Sequence, residues 1–294
     1  MKKESHNPQY YIADKTAFTL VSKSPFFIDR ATVIEPHHTQ QHYHYHNCYE
    51  LYYLYSGERY YFIKDKTYHV TRGNLILIKD YDIHCTTNFA KHGYDRMLIN
   101  FKKEFIDGFL DSVNDIDLFE CFKKDIHIIR LDAQEQHFIE QLLRSMHNEY
   151  KNETTGYLTY LKTALIQLLT FTNRHNDQLA ESNTKYANST HKTISEITGY
   201  INSNYTHKLS LSTISAQFFI SPYYFSRTFK NVTGYSFIDY LNYVRIKEAQ
   251  KLLRRTDLTI AEIAESVGYT SSTHFGRTFR KITGMSPLSY RKYH

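Results

Sequence analysis

Four side chains able to bind a metal or line a ligand pocket stand early in the chain: His44, His46, Glu50 and His84. The first three follow a His-x-His-x3-Glu spacing. Alternate residues of a strand share a face, so one strand would point His44, His46 and Glu50 the same way. A second strand can bring His84 to them. Three imidazoles and a carboxylate form a donor set for Fe, Mn, Ni, Cu or Zn. The same residues can instead line a pocket for a small organic effector, or hydrogen-bond inside a core. Residue types and spacing leave these readings open, so a divalent metal is a cofactor that the sequence admits without requiring. His37, His38 and His42 precede the motif and read as residues of an exposed loop. Cys48 falls on the face of His46 and Glu50, and Cys85 adjoins His84; the expectation for both is a buried, inert thiol rather than a redox centre.

The elements around these residues read as strands. Tyr49–Tyr55, Tyr60–Ile63, Thr67–Val70 and Leu75–Ile78 are rich in aromatic and β-branched residues. Ser56-Gly57-Glu58, Lys64-Asp65-Lys66 and Thr71-Arg72-Gly73-Asn74 supply the turns between them. Residues 1–130 are therefore expected to form an all-β barrel or sandwich. From about residue 131 the period changes. Phe138, Ile139, Leu142, Leu143 and Met146 recur at helical spacing, as do Leu158, Leu161, Leu165, Leu168 and Leu169. Residues 131–175 read as a helical pair for packing on the barrel or on a second copy. Residues 176–190 are polar and read as a linker. Residues 191–294 return to helical patterning.

That last third carries a second chemistry. It holds 14 Lys and Arg against 6 Asp and Glu, a surplus of +8, whereas the whole chain of 294 residues carries +6. A polyanion is the natural partner of such a segment. It also contains an internal repeat. SPYYFSRTFKNVTGYSFIDY at 221–240 and SSTHFGRTFRKITGMSPLSY at 271–290 share nine identities in twenty positions. Each copy follows a short apolar-faced segment, Leu211–Phe219 or Ile260–Val267. Short helix, tight turn and second helix make a helix-turn-helix. Ser221 and Ser271 sit at N-cap positions, Pro222 at the first helical turn, and Gly234 and Gly284 at helix ends. Between the copies lies an amphipathic helix, Phe237–Arg255, about 30 Å long at 1.5 Å per residue. Consecutive major grooves lie about 34–36 Å apart, so this spacer can seat two reading helices in neighbouring grooves of double-stranded DNA.

These residues resemble the AraC/XylS family of transcription regulators. The likeness rests on Ile260-Ala261-Glu262-Ile263-Ala264 through Gly268-Tyr269, then His274-Phe275-Gly276-Arg277-Thr278-Phe279-Arg280-Lys281, and Gly284-Met285-Ser286-Pro287-Leu288-Ser289-Tyr290-Arg291. The resemblance implies base-edge readers at Tyr223, Ser226 and Arg227 in the first unit and at Ser272, Thr273, His274 and Arg277 in the second. Lys230, Arg280 and Lys281 lie further along and suit phosphates. Phe225, Phe229, Phe275 and Phe279 are core residues. Ser215, where the family often has alanine, and Phe218-Phe219 in the turn put the first unit's turn geometry in question. The N-terminal half resembles the cupin motifs: the His44–Glu50 pattern is followed by Gly57, and Gly73 leads to His84 and Asn88, with Lys79 and Tyr81 replacing the expected Pro and Gly.

Together these readings predict a multi-domain chain: an N-terminal all-β cupin-like barrel with a helical pair, and a C-terminal all-α domain with two helix-turn-helix units. The resemblance implies a transcription activator rather than an enzyme. Its implied partners are DNA, RNA polymerase, a small-molecule effector such as a carbohydrate, and a second copy of itself. With no apolar run of 18 residues, no secretory pattern at the start and only three scattered cysteines, neither a membrane span nor a disulfide framework is expected, and the cytoplasm is the default compartment.

Overall fold

The computed structural model describes residues 10–12, 19–22, 24–34, 45–88, 93–110, 115–124, 126–176 and 189–293. The strands in chain order are β1 (Tyr10–Ile12), β2 (Thr19–Ser22), β3 (Phe26–Val33), β4 (Tyr45–His46), β5 (Tyr49–Ser56), β6 (Glu58–Ile63), β7 (Lys66–Thr71), β8 (Asn74–Ile78), β9 (His84–Asn88), β10 (Tyr94–Phe101) and β11 (Ile128–Arg130). They form a five-stranded sheet ordered β11-β8-β5-β10-β3, a three-stranded sheet β7-β6-β9, and a small sheet β1-β2-β4.

The period of two along β5 divides the protein's interior. Leu51 and Tyr53 face outward from the barrel into a core shared with two helices, α2 (Ala133–Asn152) and α3 (Tyr157–Asn176). Tyr52 and Leu54 face the other way and meet Tyr61, Ile63, Tyr68 and Val70 of the three-stranded sheet. Preceding α2 is the four-residue α1 (Asp107–Leu110). A capping box starts α2: Asp132 accepts from Glu135 N at 2.9 Å, and Glu135 accepts from Asp132 N at 2.8 Å. Leu142, Leu143, Met146, Leu161, Leu165, Leu168 and Leu169 are buried against the chain's own sheet. The leucines that could have formed a dimer seam are therefore used within the protomer. Leu158 and Tyr160 remain exposed on α3.

The polar stretch between α3 and the next helix falls on residues 177–188, outside the described residues. The C-terminal third then consists of α4 (Ser189–Asn204), α5 (Leu211–Gln217), α6 (Pro222–Thr233), α7 (Phe237–Arg255), α8 (Ile260–Ser266), α9 (Ser272–Thr283) and α10 (Pro287–Tyr293). The spacer α7 is shared by two cores. Phe237, Tyr240, Leu241 and Tyr243 pack with α4–α6. Ile246, Ala249 and Leu253 pack with α8–α10. The first of these cores also contains Phe62, Ile83 and Cys85 from the barrel, so the sensor half docks directly on the first helix-turn-helix unit. No helix among the described residues is long and apolar enough to cross a membrane.

Candidate nucleic-acid interface and ligand-sensing site

The repeat seen in the sequence is reproduced in three dimensions. Ser221 and Ser271 cap α6 and α9, accepting from Tyr224 N at 3.2 Å and His274 N at 3.3 Å. Both helices end on a left-handed glycine, Gly234 at φ 77° and Gly284 at φ 80°. Phe225 and Phe229 stack edge-on at 5.2 Å, and Phe229 meets Tyr240 at 5.5 Å. In the second unit Phe275 and Phe279 lie 5.6 Å apart, and Phe279 meets Tyr290 at 5.5 Å. These four phenylalanines are fully buried, as expected of the face that anchors each second helix.

The opposite face is open. Tyr223, Ser226, Arg227 and Lys230 on α6 are exposed, as are Ser272, Thr273, His274, Arg277, Arg280 and Lys281 on α9. All ten residues assigned to DNA from the sequence thus lie on the solvent side of the second helices. Arg227 and Arg277 sit one helical turn after the cap region, where a guanidinium can make a bidentate contact to guanine. Lys230, Arg280 and Lys281 occupy the last turn of their helices.

The question over the first unit's turn is answered by its hydrogen bonds. Ile220 N donates to Ser215 O at 3.0 Å, and Tyr269 N donates to Ala264 O at 2.9 Å in the second unit. The two turns share this bond, and the second has one more residue, Thr270, before its N-cap. Ser215 fits where alanine stands in the other copy because its hydroxyl donates to Leu211 O at 2.7 Å. Phe219 takes the left-handed conformation (φ 54°) that Gly268 takes in the second unit (φ 88°).

In the barrel, His44, with His37, His38 and His42, lies outside the described residues. The motif is not one continuous strand. His46 ends β4, a bend passes through Asn47 and Cys48, and Glu50 lies in β5. The bend is spanned by a hydrogen bond from His46 Nδ1–H to Cys48 O at 2.8 Å. His46, Glu50 and His84 nevertheless converge, with ligand atoms all within 4.8 Å of one another. They are 1%, 3% and 1% exposed, which removes them from bulk water altogether. Glu50 Oε2 lies 3.0 Å from His46 Nε2 and 3.6 Å from His84 Nε2. Tyr61 O–H donates to Glu50 Oε1 at 2.8 Å. Tyr61 escaped the sequence reading because it lies on β6 outside any motif; its inward register on the alternating strand is the signal that finds it.

The ring orientations of the two histidines are set by backbone. His84 Nδ1–H donates to Asp82 O at 2.8 Å, as His46 Nδ1–H does to Cys48 O. In a neutral ring that leaves the lone pair on Nε2, and both Nε2 atoms are aimed at a carboxylate. Two acceptors facing a third need a cation between them. A proton serves that purpose for His46. Burial opposes its charge, but Cys48 and Glu50 outweigh burial and hold the imidazole well above its usual value. Burial likewise pushes Glu50 up, but His84 and His46 hold it well below the usual carboxylate range. A divalent metal ion is the other cation that fits. Imidazoles anchored through their second nitrogen to backbone carbonyls are the common arrangement of histidine ligands. Cys48 is buried beside the cluster, its Sγ 3.3 Å from His46 Nδ1, whereas Cys85 is buried on the other face of β9, in the core shared with the first helix-turn-helix unit.

A barrel with an enclosed polar cluster, followed by paired helix-turn-helix units with exposed second helices, defines a ligand-sensing DNA-binding regulator. The family model described as an AraC-like ligand binding domain matches residues 31–169, and that of a helix-turn-helix domain matches residues 214–293. The chain belongs to the AraC family of transcription regulators. It is 24% identical over 263 residues to the HTH-type transcriptional activator RhaS of Pectobacterium atrosepticum, covering 87% of this chain and 91% of that protein. It is 38% identical over 78 residues to the bifunctional transcriptional activator/DNA repair enzyme AdaA of Bacillus subtilis, spanning 26% of this chain and 37% of AdaA. Among solved structures it is similar to the C-terminal domain of AraT, a response regulator from Geobacillus stearothermophilus, with 36% identity, 35% of this chain and 85% of that one covered, and a TM-score of 0.34.

Proposed function

We propose that this protein is a sequence-specific activator of transcription whose barrel binds a small effector and whose two helix-turn-helix units read DNA. The observation that carries the reading is the duplicated second helix, with buried phenylalanines on one side and ten exposed polar, basic or tyrosine side chains on the other. Tyr223, Ser226 and Arg227 read bases from α6; Ser272, Thr273, His274 and Arg277 read them from α9. Lys230, Arg280 and Lys281 hold phosphates. The protein acts on double-stranded DNA in the cytoplasm as a homodimer, contacts RNA polymerase, and is not an enzyme. The test is selection of a bound duplex from a random pool, followed by footprinting. Arg227→Ala and Arg277→Ala should each relax preference at a separate position, the two about one helical turn apart. Loss of both variants' preference at the same position, or at none, overturns the assignment.

The effector that best fits the described cluster is a divalent transition-metal ion. His46, Glu50 and His84 would hold it, with His44 as a further ligand proposed from the motif. Bound there, the ion would supply a positive charge that organises the two imidazoles and the carboxylate. The burial of His46, Glu50 and His84, and the contacts of Tyr61 and both imidazoles with Glu50, favour an ion over a carbohydrate here. Elemental analysis of tag-free protein purified without chelator checks this reading. About one metal per chain, lost in His46→Ala/His84→Ala, is expected; none in either leaves the cluster as a protonated core network and returns the search to organic effectors.

A further inference from the structure

The barrel corner that carries His84 also grips α7. Asp82, only 2% exposed, lies two residues before His84 and receives Lys247 Nζ of α7 at 2.6 Å. Lys64 Nζ approaches the other carboxylate oxygen at 3.4 Å. Next to it, Tyr81 accepts a hydrogen bond from Tyr243 O–H of α7 through its carbonyl. Two more contacts flank the corner: Tyr240 O–H donates to Lys64 O at 2.9 Å, and Thr198 Oγ1 to Asp65 O at 3.0 Å.

The same few residues are tied to the buried cluster by backbone. Asp82 O receives His84 Nδ1–H at 2.8 Å. Tyr81 N donates to His46 O at 2.8 Å. Residues Tyr81 and Asp82 thus have one hand on each histidine and the other on the spacer helix. Tyr81 is held at φ 60°, a left-handed backbone costly for a tyrosine, and persists there because both sides fix it.

Lys247 stands at a telling place on α7. Tyr243, one turn before it, belongs to the core of the first unit. Ile246 and Ala249 on either side belong to the core of the second. The contact falls where the two units join, so a small displacement of the corner acts on the angle between the two reading helices. The faces of α6 and α9 assigned to DNA stay exposed while the contact is made. The contact therefore sets orientation and does not mask the DNA-reading surface.

We propose that the Tyr81-Asp82 corner is a latch that couples the His46–Glu50–His84 cluster to the junction of the two helix-turn-helix units through Lys247 and Tyr243. This inference rests on the reading of the barrel as a sensor, and it names the path by which that sensor acts.

The test is hydrogen exchange on the full chain, comparing wild type, Lys247→Gln and Asp82→Asn. Each latch variant should speed exchange of α7 amides near residue 247 by about tenfold or more. The cluster is then perturbed mildly by Tyr61→Phe, which removes only the hydroxyl donated to Glu50, and more strongly by Glu50→Gln. In wild type these changes should alter exchange in α7; in the Lys247→Gln background they should not. A salt bridge with a merely structural role would give the first result without the second. The latch is overturned if Lys247→Gln and Asp82→Asn leave α7 within twofold of wild type, or if the Tyr61→Phe effect reaches α7 unchanged without Lys247. Should Glu50→Gln fail to fold, Tyr61→Phe alone decides. Failure of the regulator reading is separate: wild type would then select no duplex, whatever the exchange data give.

Discussion

Phe219 and Gly268 stand at equivalent places in two copies of one turn and share its left-handed backbone, at φ 54° and 88°. Their surroundings differ. A Cβ on Gly268 would lie 2.7 Å from Thr206 O, closer than real contacts allow. Phe219 points into solvent and is 96% exposed. The left-handed conformation costs an L-residue about 1–2 kcal/mol, and glycine's extra chain entropy gives back about 0.5–1 kcal/mol of any gain. Phe219→Gly is therefore expected to stabilise the protein by roughly 0.5–1 kcal/mol. Gly268→Ala should destabilise it. Denaturant melts measure both, and a stabilised Gly268→Ala would contradict the geometry.

Base reading and phosphate binding should separate by salt. On the proposed base-reading role, Arg277→Ala should lose about 1–3 kcal/mol of discrimination at one base pair. Lys281→Ala should instead weaken all sequences alike and reduce the slope of log K against log salt by roughly 0.9. Titrations on the selected duplex and a scrambled one, at several salt concentrations, distinguish them. Equal effects on both duplexes for Arg277→Ala would move that residue to the phosphates.

Acid should release the barrel's hold on α7. Burial by itself would raise the Asp82 carboxyl, but Lys247 and Lys64 outweigh it and hold it below the ordinary aspartate value. A carboxyl depressed by folding contributes fully above its unfolded value of about 3.9 and loses that contribution as pH falls through the folded value. The stability gap between wild type and Asp82→Asn should thus be constant from neutral pH to about 5 and close below about 4. Melting curves across that range give the answer, and a gap that widens in acid would reverse the sign.

The helical pair should behave as core. Leu165 is fully buried between α3 and the five-stranded sheet. Leu165→Ala is expected to cost about 2–5 kcal/mol. Leu158→Ala, at a position 48% exposed, should cost little unless a second copy covers it. Sedimentation of Leu158→Ala beside wild type tests that exception; a shift toward monomer would place a dimer contact on this part of α3.

The helix-turn-helix half was legible in the sequence because its information is local. Caps, stop glycines and the phenylalanine pairs lie within a few residues of what they determine, and the repeat doubled the signal. The spacer's limits, Phe237 and Arg255, follow from Ser236 at the cap and the return to extended backbone at Thr256. The barrel's strands were legible for the same reason, through Gly57, Gly73 and the alternation along β5. Long-range features were not. Nothing local announces that Tyr61 meets Glu50, or that Asp82 pairs with Lys247 across 165 positions. The bend at Asn47-Cys48 was hidden because a strand pattern continues through it. The helical pair's choice between its own barrel and a second copy depended on which apolar face lay opposite, a property of the fold alone.

The shared helix α7 makes the pair of readers a ruler. Its 19 residues run without a break from one unit's core into the other's. One residue added to such a helix advances its far end by about 1.5 Å and turns it by about 100°. One base pair added to B-DNA advances the groove by about 3.4 Å and turns it far less. The two steps do not match, so neither partner can compensate a length change in the other. A site stretched by a single base pair between the two contacted segments falls out of phase with the protein, and lengthening the helix cannot rescue it.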